Sequence, residues 1–172
     1  MTRNAGIQVA TGKYLYFLDS DDYIDTNALE ILAKRMDEDD LQLVFFNTVA
    51  FGDDIDNIEF AKEKNANYYH RELDEEAILP GPELFQQLNN KNNFLCNAGV
   101  SMIRSDLILD KGLSFHPGAL HEDEAWTFSA LIFASRCGCV NKNFPSQTVQ
   151  RMLHNEKRHL FCECIWSFLC CY

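Results

Sequence analysis

Residues 14–25 read YLYFLDSDDYID. Five apolar or aromatic residues, Tyr14 to Leu18, run directly into Asp19, Asp21, Asp22 and Asp25. The run is continuous rather than alternating, which predicts a parallel strand buried on both faces. Residues two apart on extended chain point to one side, so Asp19 and Asp21 can face one site. In open α/β sheets the ligand crevice lies beyond the carboxyl ends of the strands, where these acids fall. Hard oxygen donors of this kind suit Mg²⁺ or Mn²⁺, completed by phosphate oxygens and water. The residues alone equally allow a turn that caps the next helix, the role expected of Asp25. An EF-hand loop fits poorly. Ile24 stands where the loop needs Gly, and a strand rather than a helix precedes it.

Outward from this stretch, helix and strand signals alternate. Asn4 is expected to cap a short helix over AGIQVAT, ended by Gly12. Asn27 and Glu30 have the spacing of a capping box. They open the helix ALEILAKRM, with Leu29, Leu32 and Met36 along one side. Residues 41–51, LQLVFFNTVAF, predict a second buried strand, and residues 52–67 a polar, acidic loop. Pro82 suits the first turn of a helix through Leu88. Residues 97–104 predict a strand. SDLILDKG predicts a short helix with Ser105 as cap and Gly112 as stop. Residues 121–136, HEDEAWTFSALIFASR, carry the strongest helical pattern, through Trp126, Ala130 and Phe133. These signals define one α/β domain over residues 1–143, with no internal repeat or linker. From residue 144 the period is lost. Residues 144–172 are expected to be a peripheral helix of odd composition or a tail foreign to the fold.

At 172 residues and 47% hydrophobic, the chain can bury a substantial core. Its formal net charge of −11 disfavours nucleic acid and anionic membranes, which require Lys/Arg surfaces. Of the seven Cys, six crowd the stretch from Cys137 onward. No apolar secretory segment opens the chain, so reduced thiols in the cytoplasm are expected. CIWSFLCCY is too short to span a bilayer. His154, His159, Cys162 and Cys164 match no standard zinc spacing.

A second acidic cluster, His121 to Glu124, opens the helix at 121–136. A zincin motif is excluded, because Ala125 stands where its second His is required. On physical grounds alone, acids in a first turn complement the helix dipole.

TRNAGIQVATGKYLYFLDSDDYI resembles the Arg-Asn-x-Gly-Ile … Ala-x-Gly-x-Tyr-Ile-x-Phe-Leu-Asp-x-Asp-Asp segment of family 2 glycosyltransferases. GLSFHPGALHEDEAW is similar to the Gly-Leu-x-Phe lead-in and His-Glu-Asp-Glu motif of bacterial members that build capsule, exopolysaccharide and lipopolysaccharide. The resemblance spans residues 2–136 and implies a GT-A fold, the Rossmann-like fold of nucleotide-diphospho-sugar transferases. It implies inverting transfer of a sugar, from a UDP-sugar before other nucleotide-sugars, to a glycan or lipid-linked acceptor. The enzyme would work in the cytoplasm, with peripheral association at the inner face of the membrane. Residue by residue, it implies Asp21 as the direct metal ligand, with Asp19 supporting the metal or the ribose. Arg3 and Asp22 would lie at the donor, and the metal would be Mn²⁺ or Mg²⁺. Asp123 would be the general base, with Glu122 orienting it or the acceptor. His121 would act as a local cap or supporting contact.

Members of this family begin well upstream of the segment that matches Met1. The expectation is therefore an N-terminally truncated domain without most of its base contacts, in which YLYFL has an open edge. The alternative is a non-catalytic remnant that keeps the acids and acts as a binding or structural domain. A plain divalent-cation module is a third reading.

Overall fold

The computed structural model describes residues 2–20, 22, 24–51 and 70–149. The elements in chain order are α1 (Thr2–Val9), β1 (Tyr14–Tyr16), α2 (Ala28–Glu38), β2 (Leu43–Phe51), α3 (Gly81–Asn90), a 3₁₀ turn (Ala98–Val100), β3 (Ser101–Arg104), α4 (Ser105–Lys111), α5 (Glu122–Phe133) and β4 (Cys137–Val149). The strands form one mixed sheet in the order β1-β3-β2-β4. β2 pairs parallel with β4 and antiparallel with β3, and β3 pairs antiparallel with β1.

β2 explains why the sheet has two covered faces. Leu43 and Phe45 enter one apolar cluster, with α3, α4 and α5, while Val44 and Phe46 enter the other, with α2. Successive strand residues point to opposite faces, so a continuous apolar run is required when both are covered. α2 covers its face through Ala28, Leu32 and Met36, each at most 1% exposed. Burying a Leu or Met side chain of this kind contributes about 2–3 kcal/mol.

β1 departs from the expected buried parallel strand. It is half-buried, antiparallel to its neighbour and outermost in the sheet. Its side chains still alternate, with Leu15 toward the α5 cluster and Tyr14 and Tyr16 toward the α2 cluster. Among the described residues, β3 is its one strand partner.

Local signals were displaced in several places. Asn4 lies inside α1 rather than at its cap, because its side chain is engaged elsewhere. Asn27 makes no side-chain cap bond, so the capping box does not form. Instead Asp25 accepts from the Asn27 backbone N–H at 2.9 Å, a turn role as anticipated. The buried stripe of α2 runs 28-32-36, and Leu29 is exposed. Ser105 is the first residue of α4, not its cap, and its hydroxyl donates to the Gly12 carbonyl at 2.6 Å. Gly112 ends α4 in the left-handed region, as the spacing predicted. Residues 98–100 form a 3₁₀ turn before the strand, and Pro82 opens α3 as expected.

β4 was not legible, since CGCVNKNFPSQTV mixes polar residues, Gly and Pro. It crosses residue 143 and continues to Val149. Its register to β2 slips, pairing Thr48 with Phe144 and Ala50 with Thr148. The excess residues between those pairs accommodate Pro145, which cannot donate to a ladder. The expected loop at 52–67 and the tail from residue 150, with His154, His159, Cys162 and Cys164, lie outside the described residues. Cys137 and Cys139 are buried free thiols. Among the described residues, no helix is long and apolar enough to cross a membrane.

Buried Arg71 braces this architecture. Its guanidinium lies 4.6 Å from the Phe45 ring centroid and donates to the Leu95 carbonyl at 2.9 Å. The Asn47 side chain brackets its backbone, accepting from the Arg71 N–H at 2.8 Å.

Candidate active site

The site is assembled from three places in the chain: α1, the end of β1 and the first turn of α5. Arg3 projects from α1 into their junction. One of its terminal nitrogens, Nη2, donates to Asp19 Oδ1 at 2.6 Å. The other, Nη1, donates to Glu122 Oε1 at 2.8 Å and to Asp123 Oδ1 at 2.7 Å. Charge-assisted bonds of this length are the strong class of hydrogen bond. The guanidinium also lies 5.3 Å from the Phe115 ring centroid. Burial works against its charge, but Asp123, Asp19 and Glu122 outweigh burial and raise its pKa.

Arg3 is in place because its neighbour is tied down. Asn4 Nδ2 donates to the Phe115 carbonyl and Asn4 Oδ1 accepts from the Phe115 N–H, both at 2.8 Å. Phe115 is fully buried and stacks on Trp126 of α5, with centroids 4.3 Å apart and planes 10° from parallel. Phe17, just after β1, meets both rings edge-on at 5.1 and 5.4 Å. Edge-to-face and offset contacts of this kind add about 0.5–1.5 kcal/mol each beyond burial. The three rings join the β1 end, the lead-in at Phe115 and the α5 first turn into one rigid unit.

The electrostatics are uneven. Burial raises the Asp123 carboxyl pKa, against the opposing pull of Arg3, with Glu122 and Asp19 adding to the rise. A backbone N–H of Ala98, in the 3₁₀ turn, favours its ionised form. Asp123 is therefore a stronger base than an ordinary carboxylate. Asp19 is the open member, with 47% of its side chain exposed against 22% for Asp123. Among the described residues, these three carboxylates share one guanidinium, a formal excess of negative charge.

On the other side of the strand end, the Asp22 N–H donates to the Asp19 carbonyl at 3.0 Å, closing a turn. The Tyr16 hydroxyl donates to the Gly99 carbonyl at 3.1 Å. Burial, then the charges of Asp22 and Asp19, hold its pKa above the usual value. Both acids thus face one region, and their oxygens suit a hard cation. Asp21, the ligand the resemblance implies, lies outside the described residues. Among the described residues no group of three potential ligands is gathered closely enough to hold a metal.

His121 is exposed and occupies the N-cap position of α5 in the left-handed region, at φ 60° and ψ 50°. Its imidazole makes no cap bond, and its carbonyl accepts from the Glu124 N–H at 3.1 Å.

The structure thus brings Arg3, Asp19, Glu122 and Asp123 together, with Asp22 beside them. Asn4, Tyr16, Phe17 and Phe115 were missed as supports. Asn4 adjoins Arg3 in the motif, and Phe115 closes the Gly-Leu-x-Phe lead-in, so both stood beside a recognised signal.

The profile of glycosyl transferase family 2 matches residues 2–109, more than half of the chain. The chain belongs to glycosyl transferase family 2. Two relatives within reach of this family 2 chain are uncharacterized glycosyltransferase YibD of Escherichia coli and glycosyltransferase GlyG of Streptococcus pneumoniae. YibD is 27% identical over 79% of this chain and 38% of its own length. GlyG is 23% identical over 82% of this chain and 45% of its own length. The chain therefore spans less than half the length of these relatives. Among solved structures, residues 1–349 of S. aureus TarS in complex with UDP-GlcNAc align with TM-score 0.63 at 19% identity, covering 88% of this chain and 39% of that one. The same part of TarS in complex with UDP gives 0.58 at 20% identity, covering 83% and 37%. These likenesses establish the GT-A fold, of which this family 2 chain carries a part.

Proposed function

We propose that the chain transfers a sugar, with inversion, from a nucleotide-sugar donor to a glycan or lipid-linked acceptor during surface polysaccharide synthesis. A UDP-sugar is the first candidate, since the TarS structures of like fold hold UDP and UDP-GlcNAc. The work would be done in the cytoplasm, at the inner face of the membrane. The observation that carries this reading is the Arg3 guanidinium, which joins Asp19 of the strand end to Glu122 and Asp123 of α5.

In this reading Asp21 and Asp19 hold Mn²⁺ or Mg²⁺, and Arg3, Asp19 and Asp22 bind the donor. The metal, when bound, offsets the negative charge that grows on the diphosphate leaving group. Asp123 takes the proton of the acceptor hydroxyl as that oxygen bonds to the anomeric carbon, and its raised pKa suits the task. Glu122 shares Arg3 Nη1 with Asp123 and fixes its direction.

The test is titration with UDP and Mn²⁺, followed by a transfer assay. Binding should require Mn²⁺ and vanish in Asp21→Ala. Asp123→Asn should bind donor and lose transfer, and transfer that survives would place the base elsewhere. A second reading, a domain that keeps the acids but does not catalyse, is favoured by β1 standing outermost in the sheet. Absence of any nucleotide binding would select it.

A further inference from the structure

The 3₁₀ turn at Ala98–Val100 lies against the site and sends a backbone donor, the Ala98 N–H, to Asp123. Asn97 caps this turn from extended backbone, at φ −153° and ψ 123°, and its Oδ1 accepts from the Gly99 N–H at 2.7 Å. The Val100 N–H donates back to the Asn97 carbonyl at 3.4 Å. Tyr16 of β1 donates to the Gly99 carbonyl at 3.1 Å, and the Ser101 hydroxyl to the Ala98 carbonyl at 3.4 Å. Gly99 is closely seated as well. A Cβ there would lie 3.1 Å from Asn97 Oδ1 and 3.4 Å from the Phe17 carbonyl oxygen. The peptide group between Asn97 and Ala98 is thereby fixed: its carbonyl receives Val100 and its N–H faces Asp123.

We propose that Asn97 is a positioning residue for Asp123, closing the turn over Gly99 so that the Ala98 N–H holds the Asp123 carboxylate in one orientation. The proposal rests on the reading of Asp123 as the general base and adds the residue that aims it. Arg3 Nη1 already holds Asp123 Oδ1 from α1, at 2.7 Å. One donor fixes an oxygen but lets the carboxylate plane turn about it. A second donor, from a different element, fixes the plane. Direction matters because a base must meet the acceptor proton within hydrogen-bond reach. A backbone donor in an anchored turn serves better than a long side chain, since it cannot follow the carboxylate when it rotates. The charged groups around Asp123 are Arg3, Glu122 and Asp19. They set the charge it feels, and the turn sets where it points. Asn is suited to this place because its short amide bonds to backbone two residues on. With Ala at 97 the Gly99 N–H loses its acceptor, and the peptide that carries the Ala98 N–H is released to tilt. A Ser hydroxyl makes the same turn more weakly.

NMR titration of the full chain, labelled with ¹³C and ¹⁵N, tests this without requiring transfer. In wild type the Ala98 amide resonance should follow the titration of the Asp123 carboxyl carbon. In Asn97→Ala the Asp123 midpoint should move up, because a bond to the charged form is weakened. Asn97→Ser should bring the midpoint back toward wild type. In the transfer assay Asn97→Ala should lower kcat on the order of tenfold, with UDP binding unchanged, and Asn97→Ser should lower it less. A cap that served stability alone would lower the melting temperature and leave the Asp123 midpoint in place. That result, or a wild-type Ala98 amide that does not follow Asp123, would overturn the proposal and leave the base reading standing. Transfer that survives Asp123→Asn would overturn the base reading, and the aiming of a base with it.

Discussion

Asn4 and Phe115 exchange two hydrogen bonds of 2.8 Å across 111 residues of sequence. The amide side chain thereby imitates a backbone partner for a residue that belongs to no strand. Arg3 stands one residue before the clamp and Phe115 stacks on the helix that carries Asp123. A structural contact thus fixes the distance between the two acid clusters.

Asn4→Ala should cost about 2–3 kcal/mol, since it strands a buried N–H and a buried carbonyl at once. Asn4→Asp keeps the acceptor for the Phe115 N–H and should recover part of the loss. Urea denaturation of the three proteins checks this ordering.

Asp123 should show its burial in the pH dependence of stability. Its pKa is raised above the ordinary 3.8, so the folded chain holds this proton more tightly than the unfolded chain. Its contribution is fully present below that ordinary value and is lost as pH rises through the folded value. Asp123→Asn removes this loss. Relative to wild type, the variant should therefore gain stability as pH rises above that ordinary value. Asp37, whose pKa the Lys13 ammonium lowers, runs the other way and is common to both proteins. Denaturation at several pH values would read the difference, and parallel profiles would contradict it.

His121→Gly should be neutral or stabilising, by up to about 1 kcal/mol, because glycine adopts φ near 60° without the Cβ penalty. His121→Val should lose about 1–2 kcal/mol at the same position. If His121 serves through its backbone, donor binding should survive in the Gly variant. Thermal unfolding and UDP titration test the two halves of this statement.

Gly81→Ala should be among the most damaging single substitutions. A Cβ there would lie 1.5 Å from the Leu131 carbonyl oxygen, where α3 meets α5, and backbone cannot yield as a side-chain tip can. The Gly81 N–H also donates to the Ala134 carbonyl at 2.8 Å. A loss of about 3 kcal/mol or more is expected, as for overpacked cores. A melting temperature within a degree or two of wild type would refute it.

Much of this protein was legible in one dimension. The apolar run of β2, the helices α2, α3 and α5, the Gly112 stop and the turn at Asp25 all follow from spacings of two to four residues. Those spacings are what local backbone geometry imposes. Membership of family 2 and the two acid clusters were equally visible, because ordered motifs carry them. What failed were capping details and strand partners. Asn4 and Ser105 have the chemistry of caps, but Phe115 and Gly12 offered their side chains bonds across the fold. β1 has the composition of a central strand, yet among the described residues it pairs with β3 alone and antiparallel. β4 hides behind its polar residues, since its place depends on β2 and not on its own period.

The sequence by itself determined that Asp19 follows an apolar strand and that Glu122 and Asp123 open a helix. Only the tertiary structure decided that they meet, and that Arg3 is what meets them. Periodicity reports which face of an element is apolar and cannot report which distant carboxylate a guanidinium will find. That choice is made by the Asn4 clamp and the Phe17–Phe115–Trp126 stack, which bring three separate segments to one point.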